Sequence, residues 1–233
     1  MGAGVSVDAE ALLAGCRLVV FDVDGTLYRQ GPVRRAMLGE LLSDGPLRAR
    51  PRRLLALRTF RRLREGAGAS PRGFSGPLFE RFCAETGLDD DAARRLVAEW
   101  MEERPLRHLP RAIVPGAGAL FAALRARGVA VGAWSDYPAR AKLDALGLRA
   151  DHVACATDPD LDTLKPDPAG LFRVMAAAGC APEETLMIGD RPDRDGEAAR
   201  AAGARFCLRA ARGPEGTPRV RDFLGLAEAA GRT

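Results

Sequence analysis

The chain has 233 residues, of which 47% are apolar, 28% are charged and 6% are aromatic. This composition can supply a buried core, and it excludes disordered, fibrous and disulfide-scaffold proteins. The 35 basic and 31 acidic side chains leave a net charge of only +4, so we expect no nucleic-acid partner. No apolar run approaches the ~20 residues that cross a bilayer. The five cysteines form no C-x-x-C pair, which fits a reducing cytoplasm, and the lack of a long apolar run predicts no membrane partner.

Short apolar runs alternate with longer helical patterns along most of the chain. The run at 18–21 ends in acids and a glycine, and it predicts a buried parallel strand. Further strands are predicted at 129–134, 153–156, 186–188 and 205–208, and helices at 115–127, 168–178 and 196–202. This alternation predicts an α/β fold with a doubly wound parallel sheet.

One segment breaks this rhythm and predicts a separate helical cap over the sheet. Between 29 and 112 the only patterns are helical, at 33–42, 51–65, 78–86 and 91–103. We therefore divide the chain into a core, 1–28 with 113–233, and a cap, 29–112. Residues 48–64 contain eight arginines interleaved with apolar residues at helical spacing. This pattern favours an amphipathic helix with a solvated basic face over a polyanion-binding surface.

Two acids, Asp22 and Asp24, follow the first predicted strand in the segment F-D-V-D-G-T-L. While the chain stays extended, residues two apart share a face, and Gly25 permits a tight turn beyond them. Open α/β sheets bind ligands outside the carboxyl ends of their strands. Neighbouring carboxylates repel unless a cation neutralises them, and an all-oxygen ligand set favours Mg²⁺. The pair therefore predicts a metal-dependent site.

A second acidic segment, G-D-R-P-D-R-D at 189–195, follows the predicted strand 186–188. Asp190 is the favoured metal ligand because it lies at the strand end. Ser135 closes another strand, and Lys165 is one of only two lysines in a chain that otherwise uses arginine. An aspartate nucleophile with a metal, a hydroxyl and an ammonium group is a set suited to phosphoryl transfer.

With the motifs D-V-D-G-T-L at 22–27, Ser135, Lys165 and G-D through Asp195 in this order, the chain resembles the haloacid dehalogenase-like hydrolase superfamily. The resemblance implies a Rossmann-like core with a helical cap of the C1 type. It implies that Asp22 is the nucleophile and Asp24 the general acid/base. It also implies that Mg²⁺ is held by the Asp22 carboxylate, the Asp24 backbone carbonyl and Asp190, with Asp195 in support. Ser135 and Lys165 would hold the phosphate.

The expected activity is Mg²⁺-dependent hydrolysis of a small phosphorylated metabolite through an aspartyl-phosphate intermediate. The alternatives are a phosphomutase, which returns the phosphoryl group to a sugar, and a non-catalytic phospholigand binder. Clustered carboxylates are costly unless they hold a metal, which disfavours the binder. A further hypothesis is that cap arginines, with Arg58 and Arg61 as candidates, reach a second anionic group on the substrate.

Asp136 follows Ser135 where many relatives carry Asn. Its carboxylate would repel a phosphate, so we expect only its backbone N–H to face the site. Asp193 is expected to be a solvated loop residue, and Arg191 to neutralise its acidic neighbours.

Overall fold

The computed structural model describes residues 8–47, 49–67 and 72–232. Its centre is a six-stranded sheet in which every adjacent pair is parallel and the order is β3-β2-β1-β4-β5-β6. The strands are β1 (Leu18–Phe21), β2 (Ala130–Ser135), β3 (His152–Cys155), β4 (Thr185–Gly189), β5 (Arg205–Arg209) and β6 (Arg219–Val220). The strand order changes direction at β1, so the predicted doubly wound, Rossmann-like α/β fold is confirmed.

Ten α-helices are assigned in the described residues. They are α1 (Ala9–Leu13), α2 (Gln30–Ser43), α3 (Arg50–Gly66), α4 (Ser75–Thr86), α5 (Asp90–Val97), α6 (Ala117–Ala126), α7 (Arg140–Ala145), α8 (Ala169–Ala178), α9 (Glu197–Ala201) and α10 (Leu224–Gly231). Two π-helical turns, Ala98–Glu103 and Pro192–Gly196, and two 3-10 turns, Arg104–His108 and Pro182–Glu184, complete the helical segments. None of the described helices is both long and apolar enough to cross a bilayer.

The central strand β1 is buried on both faces, as its uninterrupted apolar run predicts. Val19 and Phe21 pack into a core that includes residues of α1, α6 and α10. Leu18 and Val20 point the other way and pack with residues of α8 and α9. The alternation of strand side chains thus places helices on both faces of the sheet and leaves its carboxyl edge free for ligands.

The described regular elements between β1 and α6 are all helices, joined by turns and irregular stretches, and they carry a third apolar core. Phe60, Leu78 and Phe82 are central to this core, and Leu164 from the sheet side packs against it. Tyr28 and Ile113 pair in an isolated antiparallel bridge where the chain leaves the sheet domain and returns. This bridge supports the predicted division at 28/29 and 112/113, which stays a proposal.

Several elements differ from the sequence-based expectations. The predicted helix 91–103 is α-helical only to Val97 and then widens into a π-helical turn. The short helices α1 and α7, the strand β6 and the C-terminal helix α10 were not predicted. α7 has six residues and no side-chain cap, so its formation depends on packing rather than on local signals.

Candidate active site

The predicted site residues meet at the carboxyl edge of the sheet. Asp22 follows β1, Asp190 follows β4, and Ser135 ends β2. These three strands are neighbours in the order β2-β1-β4, so the acids and the hydroxyl converge although they are far apart in sequence. Lys165 reaches the same place from the loop before α8.

Asp22 shares a buried lysine with Asp195. The Lys165 Nζ donates to Asp22 Oδ1 at 2.7 Å and to Asp195 Oδ1 at 2.8 Å. Burial alone would lower the pKa of Lys165, but Asp195 and Asp22 outweigh it and raise that pKa, which keeps the ammonium charged. The second oxygen of Asp22, Oδ2, is buried without a hydrogen-bond partner among the described residues. Asp22 therefore has one oxygen held and one available.

Asp22, Asp190 and Asp195 form a compact acidic cluster. Each offers one carboxylate oxygen within 4.8 Å of those of the other two. Burial, followed by repulsion from Asp195, raises the pKa of Asp190 to about 6. Burial also raises the pKa of Asp22, with Lys165 opposing it and the two neighbouring acids adding to it. The cluster thus sets three carboxylates against the single ammonium of Lys165, and three carboxylate oxygens this close together fit a divalent cation.

Two glycines permit this crowding of carboxylates. Gly25 has a φ of +103°, and a Cβ there would lie 2.1 Å from Asp190 Oδ2. A Cβ at Gly189 would lie 2.3 Å from Asp195 Oδ2. Both distances are far inside van der Waals contact, so a larger residue at either position would displace an acid of the cluster.

Asp24 is held by a different set of groups. The Lys142 Nζ donates to its Oδ1 at 2.6 Å and to its Oδ2 at 2.7 Å. The Tyr28 hydroxyl donates to Oδ1, and the Ser135 hydroxyl donates to Oδ2 at 3.1 Å. Burial opposes ionisation, but Lys142 and these hydroxyls outweigh it and lower the pKa of Asp24. The backbone carbonyl of Asp24 accepts from Gln30 Nε2 at 2.6 Å.

Sequence reasoning missed Lys142 and Tyr28. The available signal was composition, since Lys142 is the other lysine of a chain with only two. Its contact with Asp24 joins residues 118 positions apart, and no local pattern connects them.

Asp136, in the loop after β2, has its carboxylate bound by groups from two other segments of the chain. Its Oδ1 accepts from the Lys165 backbone N–H at 3.0 Å, and its Oδ2 lies 3.4 Å from an Arg194 nitrogen. Its carbonyl accepts from Arg64 of α3. The Asp136 carboxylate is therefore engaged by its own neighbours. Arg191 pairs with the exposed carboxylate of Asp193 at 2.8 Å, as the sequence predicts.

A cavity of about 370 Å³ opens over the acidic cluster, between the sheet edge and the helical segment. Asp22, Asp24 and Lys165 line it from the sheet side. Seven basic and six acidic side chains line it in all, and they are Arg34, Arg61, Arg64, Lys142, Lys165, Arg191 and Arg194, with Asp22, Asp24, Glu65, Asp136, Asp190 and Asp195. In the absence of a metal ion, basic side chains therefore slightly outnumber acidic ones in the cavity lining.

The helical segment contributes three of these arginines. Arg64 is buried, and its guanidinium lies 4.2 Å from the Tyr137 ring and 5.2 Å from the Phe74 ring. Arg61 is exposed and also lines the cavity, whereas Arg58 is not among the lining residues. Of the two arginines named as candidates for a second anion, the structure therefore places only Arg61 at the cavity.

Comparison with known proteins gives a consistent assignment. A family model described as haloacid dehalogenase-like hydrolase matches residues 16–203. A phosphoglycolate phosphatase from Rhodospirillum rubrum is 35% identical over 198 residues, which cover 80% of this chain and 76% of that protein. A phosphoserine phosphatase from Thermus thermophilus is 30% identical over 220 residues, covering 81% and 86%.

A solved structure supports the same fold. A HAD phosphatase from Thermococcus onnurineus superposes with a TM-score of 0.63 at 23% identity, covering 92% of this chain and 98% of that one. The family match spans most of the chain, and the motif that opens it carries Asp22 and Asp24 into the cavity. The chain belongs to the haloacid dehalogenase-like hydrolase family.

Proposed function

We propose that this hydrolase cleaves small phosphate monoesters, with Asp22 as the nucleophile. The observation that carries the proposal is the unequal environment of the two oxygens of Asp22. Lys165 holds Oδ1, while Oδ2 has no hydrogen-bond partner among the described residues, and Asp22 lines the cavity. The relatives named as phosphoglycolate and phosphoserine phosphatases support the same activity.

The acidic cluster would hold the metal, for which we propose Mg²⁺. Asp22, Asp190 and Asp195 supply the carboxylates, and the Asp24 carbonyl is a further candidate ligand once Gln30 releases it. A divalent cation there neutralises part of the negative charge of the carboxylates and the substrate phosphate. Asp195 would either bind the ion directly or orient Lys165, which it already contacts.

The reaction divides into two displacements at phosphorus. In the first, an oxygen of Asp22 bonds to phosphorus and the bond from phosphorus to the ester oxygen breaks. The departing oxygen takes a proton from Asp24, which has taken that proton up from solvent beforehand because Lys142 keeps its carboxylate ionised in the free protein. In the second, water attacks the phosphorus of the aspartyl phosphate, Asp24 takes its proton, and Asp22 is regenerated with release of phosphate. Lys165 and Ser135 would stabilise the phosphate oxygens.

The proposed substrates are small phosphorylated acids. Phosphoglycolate and phosphoserine, named in the relatives, both carry a carboxylate beside the phosphate. The cavity is small, and Arg61 and Arg34 add positive charge on the side of the helical segment. The cap would comprise residues 29–112, and the proposed location of the protein is the cytoplasm.

Phosphate release with Mg²⁺ tests the activity. The purified chain is assayed on phosphoglycolate, phosphoserine and a set of sugar phosphates, with a chelator control and the Asp22→Asn variant beside it. We expect release from at least one phosphorylated acid, and loss of it with chelator or in Asp22→Asn. Conversion of a sugar 1-phosphate to its 6-phosphate without net phosphate release would instead identify a phosphomutase.

A further inference from the structure

The second lysine of the chain takes no direct part in the reaction described so far. Lys142 is almost fully buried, with 4% of its surface exposed, and it lines the cavity. Burial of a lysine is costly unless its charge is compensated. Its partner is the carboxylate of Asp24, so the placement of this charge is tied to one acid of the site.

The contact involves both oxygens of Asp24. Distances of 2.6 and 2.7 Å from one ammonium nitrogen to the two oxygens restrict rotation of the carboxylate about its own axis. Tyr28 and Ser135 each donate to one of the same oxygens. Among these donors only Lys142 carries a charge and bridges both oxygens, so it contributes most to the orientation of the group.

The two lysines contact different acids of the site. Lys165 contacts Asp22 and Asp195, and Lys142 contacts Asp24. The supports also come from different elements: Lys142 is carried by α7, and Tyr28 lies where the chain enters the helical segment. The Asp24 carboxylate is thus fixed from two sides by residues outside the cluster of Asp22, Asp190 and Asp195.

We propose that Lys142 is a positioning residue that acts through Asp24, holding its carboxylate where it exchanges a proton with the ester oxygen and with water. The inference rests on the proposed function. The competing role is direct: Lys142 lines the cavity, and an ammonium group has three N–H donors, of which Asp24 engages two. A third donor directed at a substrate oxygen would make Lys142 a phosphate ligand.

A double-mutant cycle separates these roles. The four proteins are the wild type, Lys142→Met, Asp24→Asn and the double variant, compared by kcat/KM on a phosphorylated acid with an alkyl leaving group. Positioning through Asp24 predicts a loss of about 10- to 100-fold for Lys142→Met. It also predicts that the double variant lies within about threefold of Asp24→Asn alone. Losses that multiply would overturn the proposal, because Lys142 would then act without Asp24.

Leaving-group dependence gives an independent readout. Departure of 4-nitrophenolate needs no protonation, so kcat/KM of Lys142→Met on 4-nitrophenyl phosphate should fall by less than about tenfold. An equal loss on the alkyl and aryl esters would contradict a role at Asp24. Lys142→Arg, which keeps the charge, should recover part of the loss, and Arg140→Met, an exposed change on the same helix, should behave as the wild type.

The same variants, together with Asp22→Asn, also provide the controls for misfolding and for failure of the proposed function. Lys142→Met leaves the Asp24 charge buried without its main partner, so its thermal midpoint is measured, whereas the double variant removes both charges together. An active wild type with an inactive Asp22→Asn, combined with a multiplicative cycle, overturns the role of Lys142 alone. A folded wild type that releases no phosphate from any ester in the presence of Mg²⁺ overturns the proposed function and this inference together.

Discussion

At the scale of single residues, the two acids of the motif differ in the freedom of their oxygens. One oxygen of Asp22 has no hydrogen-bond partner in the part of the chain that the structure describes, whereas both oxygens of Asp24 are occupied by donors. A nucleophile needs a free lone pair, and a proton-transfer group needs a fixed orientation. The arrangement therefore suits attack by Asp22 and proton transfer by Asp24.

Gly25 offers a direct test of the acidic cluster. Gly25→Ala would place a Cβ 2.1 Å from Asp190 Oδ2 at a φ of +103°, so the backbone or the acid must move. We expect a loss of about 1–3 kcal/mol in the free energy of unfolding. A higher Mg²⁺ concentration for half-maximal activity should accompany it. Urea unfolding and a metal titration of activity measure the two effects.

Gly118→Ala is the matched control for this substitution. Gly118 lies in α6, and a Cβ there meets nothing within 4 Å. The change should leave metal activation unaltered and raise the free energy of unfolding by up to about 1 kcal/mol. If Gly25→Ala matched Gly118→Ala in both measurements, the close approach of Asp190 to the backbone would be wrong.

Several of the residues that sequence reasoning identified have a place that follows from a strand end, whereas Lys165 and Asp195 were identified through composition and the family motifs. Asp22, Ser135 and Asp190 each terminate or follow an apolar run, so their meeting is predictable from a parallel sheet. Lys142 lies inside a short helix, and its partner is set by how α7 packs. Tertiary packing decides such contacts, and the chain around Lys142 carries no local signal for them.

At the scale of elements, the predicted strands are confirmed to within one residue at each end. Each is recognisable in the sequence as an apolar run bounded by polar residues or glycine, and all of them except the edge strand β3 lie in the sheet interior. The π-helical turn Pro192–Gly196 was not predicted, although it shapes the acidic cluster. Arg191, the residue before this turn, donates its backbone N–H to Asp195 Oδ2 at 3.0 Å and so helps to fix that carboxylate. Period-based patterns do not distinguish one wide turn from a loop.

Helix α3 connects the helical segment to substrate choice. It buries Ala56, Phe60 and Leu63, as the predicted amphipathic pattern requires. The expected solvated basic face is only partly confirmed, because Arg64 is buried, whereas Arg61 is exposed and lines the cavity. If Arg61 binds the carboxylate of a phosphorylated acid, Arg61→Ala should raise KM for phosphoglycolate about tenfold, the typical effect of losing one charge-assisted hydrogen bond. Steady-state kinetics on phosphoglycolate and on ethyl phosphate, which lacks the carboxylate, measure this.

Two controls accompany the Arg61→Ala prediction: a substrate without a carboxylate, and a variant of a neighbouring arginine. Ethyl phosphate should show the same KM with wild type and Arg61→Ala, because no carboxylate is present. Arg58→Ala removes an exposed arginine of the same helix that does not line the cavity, and it should leave both substrates unaffected. An equal rise in KM for both esters would assign Arg61 to the phosphate instead.

At the scale of the whole molecule, two sheet cores and one helical core meet around the acidic cluster. The order of strands and the helical insertion were predictable, because alternating apolar runs specify a parallel sheet and an interruption of that rhythm specifies an insert. The C-terminal helix α10 was not predictable from the sequence, because its buried face consists of Leu226, Ala229 and Ala230. Small residues pack closely against α6 but give a weak periodic signal.

Stability of the whole chain should report the charge of the acidic cluster. Without metal, burial and Asp195 raise the pKa of Asp190 to about 6, above the value of about 3.9 in an unfolded chain. A carboxyl group whose pKa is higher in the folded chain stabilises the fold fully at pH values below its pKa in the unfolded chain. This contribution to the free energy of unfolding is lost as the pH rises through the folded pKa of about 6. The metal-free protein should therefore lose stability relative to Asp190→Asn as the pH rises from about 4 to about 6, and it should lose no more above that range.

Mg²⁺ should reverse this loss, because an ion that binds only the folded chain stabilises it by mass action. At pH 7.5 we expect Mg²⁺ to raise the thermal midpoint of the wild type and to have little effect on Asp190→Asn. Asp193→Asn is the control, since that exposed carboxylate pairs with Arg191 outside the cluster. It should keep the full Mg²⁺ shift. Equal shifts in the wild type and Asp190→Asn would mean that the ion binds elsewhere, and the three acids would then be a repulsive cluster without a metal to explain it.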